Sequence, residues 1–232
     1  MKQYFLGIEF GSTRIKAVLL DEKHAIVKSG DYTWKSSLEN GVWTYHMEDV
    51  QEGLRTAIRN LGKLPGKISA MGVSGMMHGY LAFDKDWNLL APFRTWQNTM
   101  TGEAADKLTE AFGFNIPQRW SAAHLYQAVL NGEPHVKNIA HVTTLAGYVH
   151  YLLTGENVLG VGEASGMFPI DSETLTYDAA MLDKFDALMA KYGFDWNIRA
   201  VLPEVRTAGQ SAGLLTPSGS EYLGGLLPAG IP

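Results

Sequence analysis

The chain has 232 residues, 46% hydrophobic and 11% aromatic, which is enough for one large core or two small ones. With 24 Asp and Glu against 19 Lys and Arg the net charge is -5, which argues against nucleic acid or an anionic membrane held by a general basic field and favours a small-molecule or protein partner. There is no cysteine, so disulfides, thiolate catalysis and cysteine-ligated zinc are excluded together. The apolar stretches fall short of a membrane span, and Met1-Lys2-Gln3-Tyr4 leads straight into a strand without a signal-peptide core, so a cytoplasmic location is expected.

Strands are expected near residues 3 to 10, 14 to 21 and 24 to 34, separated by turn signals at Gly11-Ser12 and Asp21-Glu22-Lys23 and therefore antiparallel. Val50, Leu54, Ala57, Ile58 and Leu61 then fall at helical spacing, with Gly62 as the stop. Lys67 to Val73 reads as a buried strand entered after a helix, free to run parallel to the first, with Ser74-Gly75-Met76-Met77-His78-Gly79 at its C-terminal end. A further strand at 80 to 84 follows. From about residue 99 the pattern is helical, with apolar stripes at Ala104 to Phe112, Ala122 to Leu130, Val142 to Leu153 and Met181 to Tyr192. The tail from Leu202 to Pro232 is rich in glycine and proline and carries no long periodic element.

Ligands in open α/β sheets bind beyond the carboxyl ends of strands, and two turns stand there. In the first, Glu9-Phe10-Gly11-Ser12-Thr13-Arg14, the freedom of Gly11 lets the N–H groups of Ser12 and Thr13 converge on an anion while Glu9 faces a metal ion. Taken alone, these residues fit an ordinary polar hairpin better. In the second, His78 stands between a strand end and a glycine, and a satisfied turn histidine competes evenly with a ligand-facing one. Trp96-Gln97-Asn98-Thr99 combines an aromatic face with amide donors and acceptors, as a sugar site needs, and equally suits a helix start with Asn98 or Thr99 as N-cap. Arg119-Trp120 offers the same chemistry, with core packing the simpler role for Trp120. The P-loop, the hydrolase nucleophile elbow, the dinucleotide fingerprint and the His-Glu-x2-His zinc pair are all missing.

Taken in order, these features resemble the N-terminal domain of the FGGY carbohydrate kinases, across essentially the whole of residues 1 to 232. Ile8-Glu9-Phe10-Gly11-Ser12-Thr13 is similar to the family's first phosphate turn, usually Asp-x-Gly-Thr or Ser. Ser74-Gly75-Met76-Met77-His78-Gly79 is similar to the Ser-Gly-Gln-Met-His-Gly of the xylulose kinase branch. Arg94-Thr95-Trp96-Gln97-Asn98, Leu153-Thr154-Gly155-Glu156, Glu163-Ala164-Ser165-Gly166 and Leu227 to Pro232 follow in the family's order.

The resemblance implies an α/β fold of the ribonuclease H and actin-like ATPase type, a mixed sheet flanked by helices with additional helical insertions. It implies transfer of the γ-phosphate of ATP, assisted by Mg²⁺, to a hydroxyl of a sugar or polyol. Glu9 would serve as the catalytic and metal-facing carboxylate, Gly11, Ser12, Thr13 and Lys16 would bind phosphate, and Met77, His78, Gln97, Asn98 and Trp120 would face the substrate.

Three departures from the family pattern stand out. Glu9 replaces Asp and adds a methylene, moving the carboxylate by ~1.5 Å. Met76 replaces Gln, and Gln97-Asn98 replaces a segment ending in Asp. The family's general base lies shortly beyond the Pro-Ala-Gly-x-Pro stretch and its adenosine site in a second, C-terminal domain, so residues 1 to 232 alone are expected to be inactive and to need that domain as partner. A homodimer is left open. The competing expectations are a non-catalytic sugar-binding or regulatory module on the kinase fold and, less well supported by the Met77-His78 turn, an actin-like assembly ATPase.

Overall fold

The computed structural model describes residues 2–232. Three strands open the chain, β1 (Gln3–Phe10), β2 (Arg14–Leu20) and β3 (Ile26–Thr33), followed by a small hairpin of β4 (Ser37–Glu39) and β5 (Val42–Thr44) that the sequence pattern did not reveal. Helix α1 (Met47–Arg59) and strand β6 (Lys67–Gly75) complete a four-stranded sheet ordered β3-β2-β1-β6. As expected, β1, β2 and β3 pair antiparallel while β6 runs parallel to β1, which a crossover through α1 permits.

Alternation along β1 buries Tyr4, Leu6, Ile8 and Phe10 on one face and leaves Gly7 and Glu9 exposed on the other. Helix α1 lays Val50, Leu54, Ala57 and Ile58 against this core, and Glu48 and Asp49 in its first turn with Arg59 in its last suit the helix dipole.

The following strand is β7 (Leu81–Phe83), which pairs not with the main sheet but antiparallel with β8 (His141–Thr143). Between them lie α2 (Gly102–Phe112) and α3 (Ser121–Leu130), then a 3-10 turn at Pro134–Asn138. The stripe read as one helix from Val142 divides in two: Val142 belongs to β8, and α4 (Leu145–Thr154) begins only after Thr144, whose hydroxyl caps it by accepting from Gly147 N–H at 3.1 Å. Strand β9 (Val158–Gly160), the short α5 (Val161–Ala164), α6 (Ala179–Met189), α7 (Ile198–Val201) and β10 (Glu204–Arg206), paired parallel to β9, follow.

A second core gathers α2, α3 and α6 around Leu108, Phe112, Phe168 and Phe185. The tail is more ordered than its composition suggests. It carries α8 (Pro217–Tyr222), packs Leu215, Leu223, Leu227 and Ile231 into the sheet core, and sets the Pro232 carbonyl against Met71 N–H at 2.7 Å. No helix among the described residues is long and apolar enough to cross a membrane.

Candidate functional site

The parallel pairing of β1 with β6 sets Glu9 opposite Ser74 and Phe10 opposite Gly75, so the two turns leave the sheet side by side. Met76 N–H closes the gap by donating to the Phe10 carbonyl at 3.2 Å. Both sequence-predicted turns therefore share one edge of the molecule, beyond the carboxyl ends of adjacent parallel strands.

In the first turn Gly11 is not in the left-handed region of backbone space. This corrects the expectation that its conformational freedom matters: its N–H closes the turn on Arg14 O at 2.9 Å, and a Cβ there would stand 3.1 Å from that same oxygen. The requirement is room. With Gly11 N–H committed, the donors left for an anion are the N–H groups and hydroxyls of the exposed Ser12 and Thr13, for which no partner is found among the described residues. Lys16, opposite Glu9 on β2, donates to its carboxylate at 2.9 Å, both side chains being about half exposed. Phosphate donors, a carboxylate and an ammonium thus lie within one short stretch.

The second turn is held from three sides. Ser121, first residue of α3, donates its hydroxyl to the Gly79 carbonyl at 2.6 Å. Glu163 on α5 accepts from Gly75 N–H at 3.0 Å. Gly166 packs so close that an added Cβ would collide with the Met77 carbonyl and lie 2.8 Å from His78 Nδ1. His78 is half-buried, with Nδ1 3.4 Å from the Gly166 carbonyl, and burial lowers its pKa below the usual histidine value. A neutral ring whose Nδ1–H faces Gly166 offers Nε2 as an acceptor for a substrate hydroxyl. Met77 is also half-buried, its carbonyl and methyl both directed at Gly166.

The aromatic and amide cluster separates into parts. Trp96 is 44% exposed, and Gln97 is half-buried with its carbonyl oxygen accepting from Ser36 Oγ at 2.7 Å, while its amide NH₂ has no partner among the described residues. Asn98, expected to face the substrate, spends its amide on backbone partners. It is buried, accepts from Trp43 N–H at 2.9 Å, and donates to the carbonyls of Trp43 at 2.9 Å and Thr95 at 3.0 Å. These bonds clamp β5 to the segment carrying Trp96 and Gln97, a structural use that exhausts the amide. Neither Asn98 nor Thr99 stands at a helix start, since Thr101 occupies the N-cap position of α2, where its hydroxyl donates to the Gln118 carbonyl at 2.6 Å and makes no capping bond. Trp120 stands at the start of α3 beside Ser121, half-buried against the second core with its ring 6.3 Å from that of Phe114. The neighbouring Arg119 is close enough to help lower the His78 pKa, so this corner borders the His78 turn.

Glu163 is a residue of this site to which the sequence pattern assigns no role of its own. Burial raises its pKa, and Oε2 is enclosed without a partner among the described residues while Oε1 holds Gly75. Its one sequence signal is an acidic residue flanked by small ones, Gly162 and Ala164.

No three acidic or histidine side chains among the described residues cluster into a cage for a metal ion. The lone Glu9 carboxylate fits Mg²⁺, which takes most of its ligands from water and substrate phosphate. Ser12 and Thr13 supply donors of the kind a terminal phosphate needs.

Comparison with known proteins agrees with this geometry. The sequence profile described as the FGGY family of carbohydrate kinases, N-terminal domain, matches residues 4–232. The glycerol kinase of Thermococcus gammatolerans is 25% identical over 245 residues, covering 98% of this chain and 47% of its own length. The xylulose kinase of Lactococcus lactis is 22% identical over 199 residues, covering 79% of this chain and 39% of its own. Among solved structures, gluconate kinase from Lactobacillus acidophilus superposes with a TM-score of 0.82 at 19% identity, over 100% of this chain and 47% of the other, a likeness of fold. The chain spans about half the length of the curated relatives it matches. With the mixed sheet, its flanking helices and a profile match across nearly every residue, the chain belongs to the FGGY family of carbohydrate kinases and corresponds to their N-terminal domain.

Proposed function

We propose that this chain is the sugar-binding half of an ATP-dependent kinase that transfers the γ-phosphate to a hydroxyl of a sugar or polyol, completed by a C-terminal nucleotide-binding domain. The observation that carries the reading is the parallel register of β1 and β6, which lays the Glu9 to Thr13 turn beside the Met77-His78 turn. Phosphoryl transfer asks a protein chiefly to position the reactants and stabilise charge, and these two turns divide that task.

On the phosphate side, Ser12 and Thr13 donate to phosphate oxygens, and Lys16 neutralises charge while orienting Glu9. Glu9 would hold Mg²⁺, which when bound offsets phosphate charge. On the sugar side, His78 accepts a hydroxyl proton in a hydrogen bond and the Gln97 amide donates to a neighbouring oxygen, with Trp96, Met77 and Trp120 bordering the sugar. Asn98 contributes only by holding Gln97 in place. Glu163 is committed to Gly75 and sits behind the turn, so we assign no residue among the described ones as general base. Loss of a positioned base costs ~10² to 10⁴ in rate, and residues 1 to 232 by themselves are accordingly proposed to bind sugar without turnover.

The test is ATP-dependent phosphorylation across a panel of ketoses, aldoses and polyols, comparing the whole product of the gene with the 232-residue chain. The whole product is expected to phosphorylate one class and the shorter chain none. Turnover by the shorter chain would refute its proposed inactivity. Sugar binding without turnover by the whole product would favour a binding module instead.

A further inference from the structure

The loop between β1 and β2 has three carbonyls, and each accepts from Trp34 or Tyr45. Gly11 O accepts from the Trp34 indole N–H at 2.7 Å, Ser12 O from the Tyr45 phenol at 2.7 Å, and Thr13 O from the Trp34 backbone N–H at 3.1 Å. Trp34 and Tyr45 are buried, 6% and 3% exposed, and their rings stack at 4.2 Å between centroids. Burial also raises the Tyr45 pKa, which keeps the phenol protonated as a donor.

A trans peptide unit is planar, with C=O and N–H pointing in opposite directions. Fixing the Gly11 carbonyl therefore fixes the Ser12 N–H, and fixing the Ser12 carbonyl fixes the Thr13 N–H, each turned away from the aromatic pair. These are the two N–H groups of the turn without a partner among the described residues. The contacts continue beyond the turn. Ser36, two residues past Trp34, donates its hydroxyl to Gln97 Oε1 at 2.7 Å. The short stretch from Trp34 to Ser36 thus holds the turn at one end, through the Gly11 and Thr13 carbonyls, and Gln97 at the other.

We propose that Trp34 and Tyr45 are positioning residues that aim the N–H groups of Ser12 and Thr13 at phosphate, and that Trp34, through the short stretch ending at Ser36, holds that turn in register with Gln97. The functional part of this proposal rests on reading residues 11 to 13 as a phosphate turn; the ordering of the turn stands apart from it.

The test uses the 232-residue chain, its Tyr45→Phe variant, which keeps the stacked ring and removes only the phenol oxygen, and Trp34→Phe as a second, independent variant. Backbone ¹⁵N relaxation is expected to show the Thr13 amide falling from a rigid order parameter of ~0.85 toward ~0.6 in Tyr45→Phe. The Gln97 side-chain amide signal is expected to move in Trp34→Phe. In Trp34→Phe the Ser12 amide loosens likewise. Titration with Mg²⁺ and inorganic phosphate should show about tenfold weaker binding in either variant, reflecting lost preorganisation.

A merely structural role would lower the melting temperature and leave these amides alone. Unchanged Ser12 and Thr13 order parameters in both folded variants would overturn the proposal. If the wild-type chain ignores phosphate while the variants still loosen the turn, the phosphate reading fails and the ordering role stands.

Discussion

Glu9 and Lys16 form a half-exposed ion pair at 2.9 Å that owes little to packing. An exposed pair of this kind contributes at most ~1 kcal/mol to folding, so its value lies in where it holds the carboxylate. Glu9→Ala is therefore expected to leave the melting temperature of the chain within about 2 °C while abolishing phosphoryl transfer by the whole protein and sparing sugar affinity. A parallel loss of sugar affinity would move Glu9 to the sugar side. Gly166 gives the complementary case. A methyl group there collides with the Met77 carbonyl and crowds His78 Nδ1, so Gly166→Ala should weaken sugar binding about tenfold or more by displacing the turn, a shift readable as a changed His78 imidazole signal.

At the scale of elements, Asn98 shows how a side chain chosen for one chemistry serves another. Its amide makes three hydrogen bonds that join β5 to the segment before α2. Asn98→Ala leaves the Trp43 N–H and two carbonyls without these partners in a buried place, and is expected to cost about 2 to 3 kcal/mol, measured by urea unfolding. A cost below ~0.5 kcal/mol would show that the clamp matters little.

The sequence carried no sign of this use, since an amide beside a tryptophan suits a sugar and a backbone equally. Periodicity was informative where one element owned one face, as in β1, β2 and α1. It failed at Val142, because positions 142, 145, 149 and 153 share a helical face whether or not a strand and a capping Thr144 interrupt them. Trp34 and Tyr45 were illegible for a further reason. Their bonds to the phosphate turn span 23 and 33 residues of chain, and only the folded sheet brings them together.

Across the whole molecule, five of the seven histidines share one electrostatic condition. Burial lowers the pKa of His78, His124, His135, His141 and His150, in His124 to about 3, and this last ring is enclosed in α3 with neither nitrogen partnered among the described residues. With a folded pKa below the unfolded value near 6.5, the unfolded chain takes up protons first as pH falls, so stability is lost. The chain is expected to lose melting temperature steadily from pH 6.5 downward, beginning above the range where carboxylates titrate. His124→Phe, which cannot take up a proton, should flatten that slope. A melting temperature constant between pH 6.5 and 5 would contradict the buried, neutral state of these rings.

The strands of the main sheet and the two turns were read in the right order from sequence because β1 and β6 each end in a distinct polar turn, whereas the pairing that places those turns side by side is a property of the whole sheet. Calorimetric titration of ketoses, aldoses and polyols into the 232-residue chain and its His78→Ala variant tests that arrangement most directly. The account predicts that one sugar or polyol class binds the wild-type chain and binds His78→Ala at least tenfold more weakly. Binding that is absent throughout, or equal in the two proteins, would contradict it.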